Sequence, residues 1–165
     1  MSEARWFALY TRSRNEKKVH LELQKAGIDA YLPMVSRLRQ WSDRKKMVEE
    51  PLFRSYIFVH ITEAEYFTAL NVPGAVRFIT FSGKAVPIPE NQIMAIRNYL
   101  DDFEEVPEEG AILEAGQLVK IKSGPMEGLI GKLIHYRNRH RLIIQIDAIG
   151  QNISLSVPRS KVEVV

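Results

Sequence analysis

The chain has 165 residues and a formal net charge of +3, and 45% of its residues are hydrophobic. A chain of this length and apolar content builds one or two packed domains, which excludes global disorder. Because cysteine is absent, disulfide frameworks and thiolate metal sites are excluded, and we expect a cytoplasmic protein. No apolar run approaches the roughly 18 residues of a membrane helix, so no membrane contact is expected.

The charge is unevenly distributed along the chain. Residues 1–102 and 116–165 carry net charges of +3 and +5, whereas residues 103–115 hold five glutamates and no basic residue. This pattern predicts two modules and a tether, with at least one module facing a polyanion; the alternative is that mild basicity only aids solubility. We predict domains at 1–102 and 113–165, joined by an acidic linker at 103–112.

The first hundred residues alternate strand and helix patterns. An aromatic run at 5–11 predicts a strand, and Ser13 with Glu16 has the form of a capping box that starts a helix ending before Gly27. The remaining elements predicted here are extended structure at 28–35, a polar hairpin at 37–50, a strand at 51–61, a capping box at 62–65 that opens a short helix, strands at 76–81 and 85–87, and a helix from Pro89. The order β-α-β-β-α-β-α is typical of an α+β fold, with helices flanking an antiparallel sheet.

The last fifty residues are strand-like. Alternation through 118–122 is broken by Gly124-Pro125, and further glycines stand at 128 and 131. Short strands are predicted at 118–122, 129–136, 141–147, 152–157 and 161–164. Five short strands in so few residues favour a small, closed β-barrel.

Two resemblances to known families follow from these segments. The stretch from Gly116 to Gly131 resembles the KOW motif, which opens an SH3-like barrel in transcription elongation factors and some ribosomal proteins. Four earlier blocks resemble, in this order, the NusG N-terminal domain: Trp6-Phe-Ala-Leu-Tyr10, Pro51-Leu-Phe-Arg-Ser-Tyr-Ile-Phe-Val59, Val72-Pro-Gly-Ala-Val-Arg-Phe-Ile79 and Pro87-Ile-Pro-Glu90. The chain is thus identified as resembling bacterial NusG-family factors. Pro51-Leu-Phe53 and the basic hairpin are more similar to specialised, RfaH-like antiterminators of polysaccharide-type operons than to the housekeeping factor.

The resemblance implies a non-enzymatic elongation and antitermination factor that suppresses pausing. In the family, the N-terminal domain binds the clamp helices of the RNA polymerase β′ subunit and reaches the β subunit. The polymerase-binding residues it implies here are Tyr10, Phe53, Arg54, Tyr56 and Phe58. Alternation along one strand would place Phe53 on the face opposite to Tyr56 and Phe58. The alternative for the phenylalanines is a core position, and Arg54 stands where the family usually has proline.

The helix near residues 62–71 lies where family members contact the β-subunit gate loop. The matching positions are Glu65, Tyr66 and Phe67. Helical spacing favours a different role for Phe67, which we expect to pack inward with Ala64 and Leu70.

The hairpin predicts a nucleic-acid contact. Clustered cations neutralise phosphates, and an aromatic side chain among them can stack on an unpaired base. The candidate residues are Arg12, Arg14, Arg39, Trp41, Arg44, Lys45 and Lys46. Similar factors touch the non-template DNA strand from this side, and the alternative is a solvated hairpin tip.

In the KOW module, family members bind a small-subunit ribosomal protein or the termination factor Rho. The candidate contacts are Met126 and Ile149, whereas Leu129 and Ile130 are expected in the barrel core.

The histidines lack metal-ligand spacing, so neither a metal nor a cofactor is expected. The chain is expected to be a monomer. Two other functions stay open: the housekeeping NusG factor, and a ribosome-associated KOW protein that binds structured RNA.

Overall fold

The structure, a computed structural model, describes residues 3–101, 112–136, 139–146, 148–156 and 159–165. The chain divides into two compact units, Met1–Ile88 and Pro89–Val165, which we call the amino-terminal and carboxy-terminal units. The linker predicted at 103–112 lies, apart from Ile112, outside the described residues, and the domain limits drawn from the sequence stay predictions.

The amino-terminal unit is built on an antiparallel sheet. Its elements, in chain order, are β1 (Arg5–Thr11), α1 (Glu16–Lys25), β2 (Asp29–Tyr31), β3 (Met34–Gln40), β4 (Lys45–Pro51), β5 (Tyr56–Ile61), α2 (Tyr66–Leu70), β6 (Ala75–Phe78), β7 (Thr80–Phe81), β8 (Lys84–Ala85) and β9 (Pro87–Ile88). The sheet has the order β2-β5-β1-β6, and β9 also pairs with β1. Strands β3 and β4 form one separate hairpin, and β7 and β8 form another.

The main apolar cluster of this unit lies on one face of the sheet. Phe7 and Leu9 of β1 stand opposite Val59 and Ile57 of β5, so all four side chains point to the same side. They pack with Val19 and Leu23 of α1 in one buried cluster. Burial of such side chains contributes roughly 1.5–3 kcal/mol each, which makes this face the main source of stability in the unit.

Several elements predicted from local patterns are confirmed. The strand at 5–11 and the hairpin at 37–50 are present, the latter closing where the Trp41 N–H donates to the Arg44 carbonyl at 2.8 Å. The capping box at 62–65 forms as expected, although it opens a 3₁₀ turn (Glu63–Glu65) that leads into a short α2.

Three predictions were wrong in part, each because a distant segment changes the local geometry. The Ser13 capping box does not form; Asn15 precedes α1, and the Glu16 carboxylate instead accepts from the Ser55 N–H. The strand predicted at 51–61 begins only at Tyr56, after a chain reversal. The strand predicted at 76–81 is interrupted at Ile79, whose N–H donates to the Ala8 carbonyl.

The carboxy-terminal unit begins with a helix and continues as a sheet. Its elements are α3 (Glu90–Asp101), β10 (Ile112–Ile121), β11 (Ile130–Tyr136), β12 (Arg139–Ile146), β13 (Gln151–Ser156) and β14 (Val162–Val164). The strands form one five-stranded sheet of order β13-β12-β11-β10-β14, joined throughout by antiparallel pairs. This confirms a strand-rich module with an α+β fold overall, whereas closure of the sheet into a barrel stays a prediction.

None of the helices in the described residues combines the length and the apolar character that crossing a bilayer requires.

Gly131 of β11 lies close to the backbone of the neighbouring strand β12. A Cβ atom at this position would lie 2.3 Å from the Ile143 carbonyl oxygen, which belongs to the backbone of β12. We therefore expect Gly131→Ala to lower the free energy of unfolding by about 3 kcal/mol, because the strands must move apart. Urea unfolding of the full chain, followed by circular dichroism, measures the loss.

Gly124→Ala is the matched control, because a Cβ there meets nothing within 4 Å although φ is +94°. Only the backbone strain of about 1 kcal/mol is expected there. An equal loss in the two variants would contradict the close packing of β11 on β12.

Candidate functional site

The face of the first sheet opposite the core carries an aromatic row. Tyr10 of β1 stands directly across from Tyr56 of β5 on one side and from Arg77 of β6 on the other. The two tyrosine rings meet edge to face with centroids 5.7 Å apart, and the Arg77 guanidinium lies 5.6 Å from the Tyr10 ring centre. We call Tyr56, Tyr10 and Arg77 the tyrosine row. Both tyrosines are half-buried and Arg77 is exposed, so the row is open to a partner.

The phenylalanines expected beside these tyrosines lie deeper. Phe53 and Phe58 are 5% and 0% exposed, and their rings meet edge to face at 6.0 Å. The expectation that Phe53 points to the opposite face from Phe58 was wrong, because the chain reverses between Phe53 and Tyr56 instead of continuing as a strand. The two phenylalanines are therefore buried, so a partner would meet the half-buried tyrosines first.

The reversal before β5 brings Arg54 to the surface. The Tyr56 N–H faces the Phe53 carbonyl at 3.4 Å, as in a four-residue β-turn, and Ser55 has φ +67°. Ser55 is the third residue of this turn, and a third residue with positive φ is normally glycine. Arg54, at the position before Ser55, is exposed at the end of the row.

The hairpin of β3 and β4 has one ion-paired face. Arg37 and Arg39 both contact the Glu50 carboxylate, Arg37 at 3.2 Å. Partial burial would raise the pKa of Glu50, but the hydrogen bonds and charges of Arg39 and Arg37 outweigh it and hold the pKa of this carboxyl below its usual value. Arg39 is thus engaged within the hairpin, unlike the other basic candidates near its tip.

The other face and the tip of the hairpin are exposed. Leu38 and Met47 stand directly opposite each other and are 60% and 58% exposed. At the tip, the Arg44 guanidinium lies 5.4 Å from the centre of the Trp41 ring, and Trp41 is 46% exposed. The remaining basic candidates are also exposed, namely Lys45 and Lys46 on β4, and Arg12 and Arg14 in the loop between β1 and α1.

The residues matched to the gate-loop contact differ in their roles. The Glu65 carboxylate accepts from the Thr62 N–H at 3.1 Å, so it closes the capping box. Tyr66 stacks on Phe78 in the core, with centroids 4.5 Å apart. Phe67 is 68% exposed, so the expectation that it packs inward was wrong. The 3₁₀ turn before α2 shifts the helical phase and turns Tyr66 and Ala69 inward instead.

The residues of the carboxy-terminal unit that were predicted to contact a partner are largely buried. Met126 is half-buried, its sulfur 3.3 Å from the Asn98 side-chain amide, and Ile149 is buried. Leu129 is buried as predicted, but Ile130 is exposed, and so is Leu118 on the neighbouring strand. Ile130 was predicted wrongly because β11 begins at this residue, and its side chain points to the outer face.

Two of the exposed features were not found from the sequence. Arg77 joins the tyrosine row only through the pairing of β6 with β1, which no local pattern specifies. The exposed pair of Leu38 and Met47 could have been predicted, since alternation in the predicted hairpin places the two side chains on one face.

Within the described residues, no group of three or more His, Asp or Glu side chains is placed to hold a metal ion.

Comparison with known proteins gives consistent matches. A family model described as "Transcription termination factor nusG" matches residues 4–97, more than half of the chain. A "Transcription termination/antitermination protein NusG" from Rickettsia prowazekii is 25% identical over 88% of this chain and 82% of its own length. A protein of the same description from Staphylococcus carnosus is 22% identical over 96% and 94%. The solved structure described as "Domain interaction in Thermotoga maritima NusG" covers 99% of this chain and 98% of its own, at 24% identity and a TM-score of 0.53.

The ion-paired hairpin predicts a pH-dependent contribution to stability. A carboxyl whose pKa is lower in the folded state stabilises the fold above its unfolded pKa of about 4.3, and loses this as the pH falls through the folded value. We expect Glu50→Gln to cost about 0.5–1 kcal/mol at neutral pH. The difference from the parent should shrink towards zero below about pH 4, measured by urea unfolding across the pH range.

Glu49→Gln is the control, because Glu49 is exposed on the neighbouring position of the same strand. A Glu50→Gln deficit that persists unchanged into acid would show that the two arginines do not act through the carboxylate charge.

Proposed function

Because the chain belongs to the NusG family, whose members are transcription factors and not enzymes, we propose that it binds RNA polymerase and controls termination and pausing. In this proposal the amino-terminal unit engages the clamp helices of the β′ subunit and reaches the β subunit, which keeps the polymerase in its elongating form. Family membership supports the role in transcription.

The tyrosine row carries the proposal for the polymerase contact. Its rings are held by strand pairing and by contact with one another, so little side-chain entropy is lost when a partner covers them. Tyrosines and arginines are the residue types most enriched at energetically dominant interface positions. Arg54 and Arg77 frame the rings with positive charge, which suits a partner helix that carries acidic residues.

The hairpin tip supports a second contact, with the non-template DNA strand. Because Glu50 pairs with both arginines of the stem, the other exposed cations of the hairpin lie near its tip, where Trp41 is also exposed. A cation beside an aromatic ring suits a single strand, since the ring stacks on a base while the cation meets phosphate. Arg12 and Arg14 would add phosphate contacts from the loop after β1.

For the carboxy-terminal unit, we propose a protein partner, either a small-subunit ribosomal protein or Rho. Met126 and Ile149 are too covered to provide much contact area unless they rearrange. The exposed Leu118 and Ile130 add apolar area on the outer face of β10 and β11.

Within this function, we propose a specialised regulator of particular operons of the polysaccharide type. The basic hairpin and the Pro51-Leu-Phe53 segment support this choice. The genomic neighbourhood tests it: a reading frame at the head of such an operon agrees, whereas neighbouring translocase and ribosomal-protein genes would indicate the housekeeping factor.

The tyrosine row generates a direct test of polymerase binding. We expect Tyr10→Ala and Tyr56→Ala each to weaken binding to core RNA polymerase about tenfold, as truncation of a central interface aromatic does. Equilibrium binding of the labelled full-length chain measures the change, with circular dichroism confirming the fold. Phe81→Ala is the control, because Phe81 is 78% exposed but lies in the separate β7–β8 hairpin. If both tyrosine variants bind like the parent, the row is not the contact.

The hairpin tip generates a test of the DNA contact. We expect Arg44→Ala to weaken binding to a bubble DNA and to reduce the salt slope of log affinity by about 1, because one phosphate contact is lost. Trp41→Ala should weaken binding to the bubble more than to the fully paired duplex. Lys25→Ala, an exposed cation in the last turn of α1, serves as the control. An unchanged slope in Arg44→Ala and Arg12→Ala would rule out the proposed DNA role.

A further inference from the structure

Glu16 is a buried carboxylate that the functions above leave unused. It is 6% exposed, although it occupies the first position of α1. Its Oε2 atom accepts a hydrogen bond at 3.2 Å from the backbone N–H of Ser55, 39 residues further along the chain. A buried charged group of this kind is retained only where its hydrogen bonds offset the loss of water.

Ser55 is the residue of the turn with the least favourable backbone. Its φ of +67° lies in the left-handed region, where a residue with a Cβ atom is strained relative to glycine. Both peptide groups of Ser55 are anchored: the N–H donates to Glu16, and the carbonyl accepts from the Thr11 N–H at 2.8 Å. The start of α1 and the end of β1 thus hold this one residue between them.

The residues next to Ser55 are those proposed to meet the polymerase. Arg54 precedes it, Tyr56 follows it, and Thr11, which anchors its carbonyl, follows Tyr10. A change of φ at Ser55 would rotate the chain on either side, so Tyr56 would lose its place opposite Tyr10. The conformation of Ser55 therefore determines whether the tyrosine row forms at this end of the sheet.

We propose that Glu16 is a positioning residue for the polymerase-binding surface, an inference that rests on the proposed function. Its carboxylate holds Ser55 in the left-handed conformation, and so fixes Arg54 and Tyr56 in the orientation that the partner binds. An ionised acceptor forms a stronger bond to a backbone N–H than a neutral one does, which offsets the strain at Ser55. The amino terminus of α1 also favours negative charge at this position.

A glycine substitution separates this role from a general structural one. Glycine adopts positive φ without strain, so Ser55→Gly removes the need for a restraint on the turn. If Glu16 acts through Ser55, the loss caused by Glu16→Ala should be repaired when Ser55 is also glycine. If Glu16 merely contributes to packing or helix stability, the second substitution should repair nothing.

The experiment measures binding of the full-length chain to core RNA polymerase in a double-mutant cycle. We expect Glu16→Ala to weaken binding about tenfold in the parent chain, but by less than about twofold when it is introduced into the Ser55→Gly variant. Glu16→Gln keeps an oxygen acceptor and should fall between the parent and Glu16→Ala. Glu22→Ala is the matched control, because Glu22 lies in the same helix and pairs with Lys25 at its surface. Each variant is assayed below its unfolding transition.

Hydrogen exchange of the Ser55 amide gives a readout that does not depend on the polymerase. Its protection should fall in Glu16→Ala and remain at the parent level in Glu22→Ala. A double variant that binds as weakly as Glu16→Ala, or a Glu16→Ala variant with unchanged affinity, would overturn the positioning role. If the parent chain does not bind polymerase, the proposed function is wrong, and there is no polymerase-binding surface for Glu16 to position. Hydrogen exchange can still show the Glu16–Ser55 hydrogen bond in that case.

Discussion

The antiparallel pairing of β1 with β5 is the constraint on which the amino-terminal unit depends. β1 is the central strand, and its register against β5 runs from Arg5 opposite Ile61 to Tyr10 opposite Tyr56. A shift of one residue would move Leu9 out of the core and Tyr10 into it. Because Leu9 is fully buried among apolar neighbours, the core opposes such a shift and thereby keeps the tyrosines on the other face.

Two carboxylates then shape the surfaces that this sheet leaves available. Glu50 binds both arginines of the hairpin stem, so positive charge remains exposed mainly towards the tip. Glu16 binds a backbone amide and restrains the turn before β5. Both carboxylates make contacts inside the protein, and these contacts determine which basic and aromatic side chains remain exposed.

Features set by neighbouring residues were predictable from the sequence, and features set by distant segments were not. The strand at 5–11, the hairpin and the capping box of Thr62 and Glu65 depend on local spacing and are present. The box of Ser13 and Glu16 has the same form, but α1 begins only after Asn15, and the Glu16 carboxylate accepts from Ser55 in another part of the chain. Phe53 was misplaced for the same reason, since the reversal at Ser55 breaks the alternation that the strand pattern suggested.

The candidate site shows this limit most clearly in Arg77. Nothing around Arg77 in the sequence distinguishes it from any exposed cation on a strand; it becomes part of a site only because β6 pairs with β1 beside Tyr10. The resemblance to a family supplied Tyr10 and Tyr56, whose positions the structure brings together. It also supplied Phe53 and Phe58, which the structure buries.

The difference in exposure between the tyrosines and the phenylalanines has a physical consequence for binding. A phenylalanine exposed in the free protein would add apolar surface that favours self-association. Tyr10 and Tyr56 are half-buried in the free protein, and a tyrosine ring still buries a large area when a partner covers it. Phe53 and Phe58 pack edge to face and are already buried, so they lose no further freedom on binding. Such a surface suits the reversible contact with RNA polymerase that we propose for this chain.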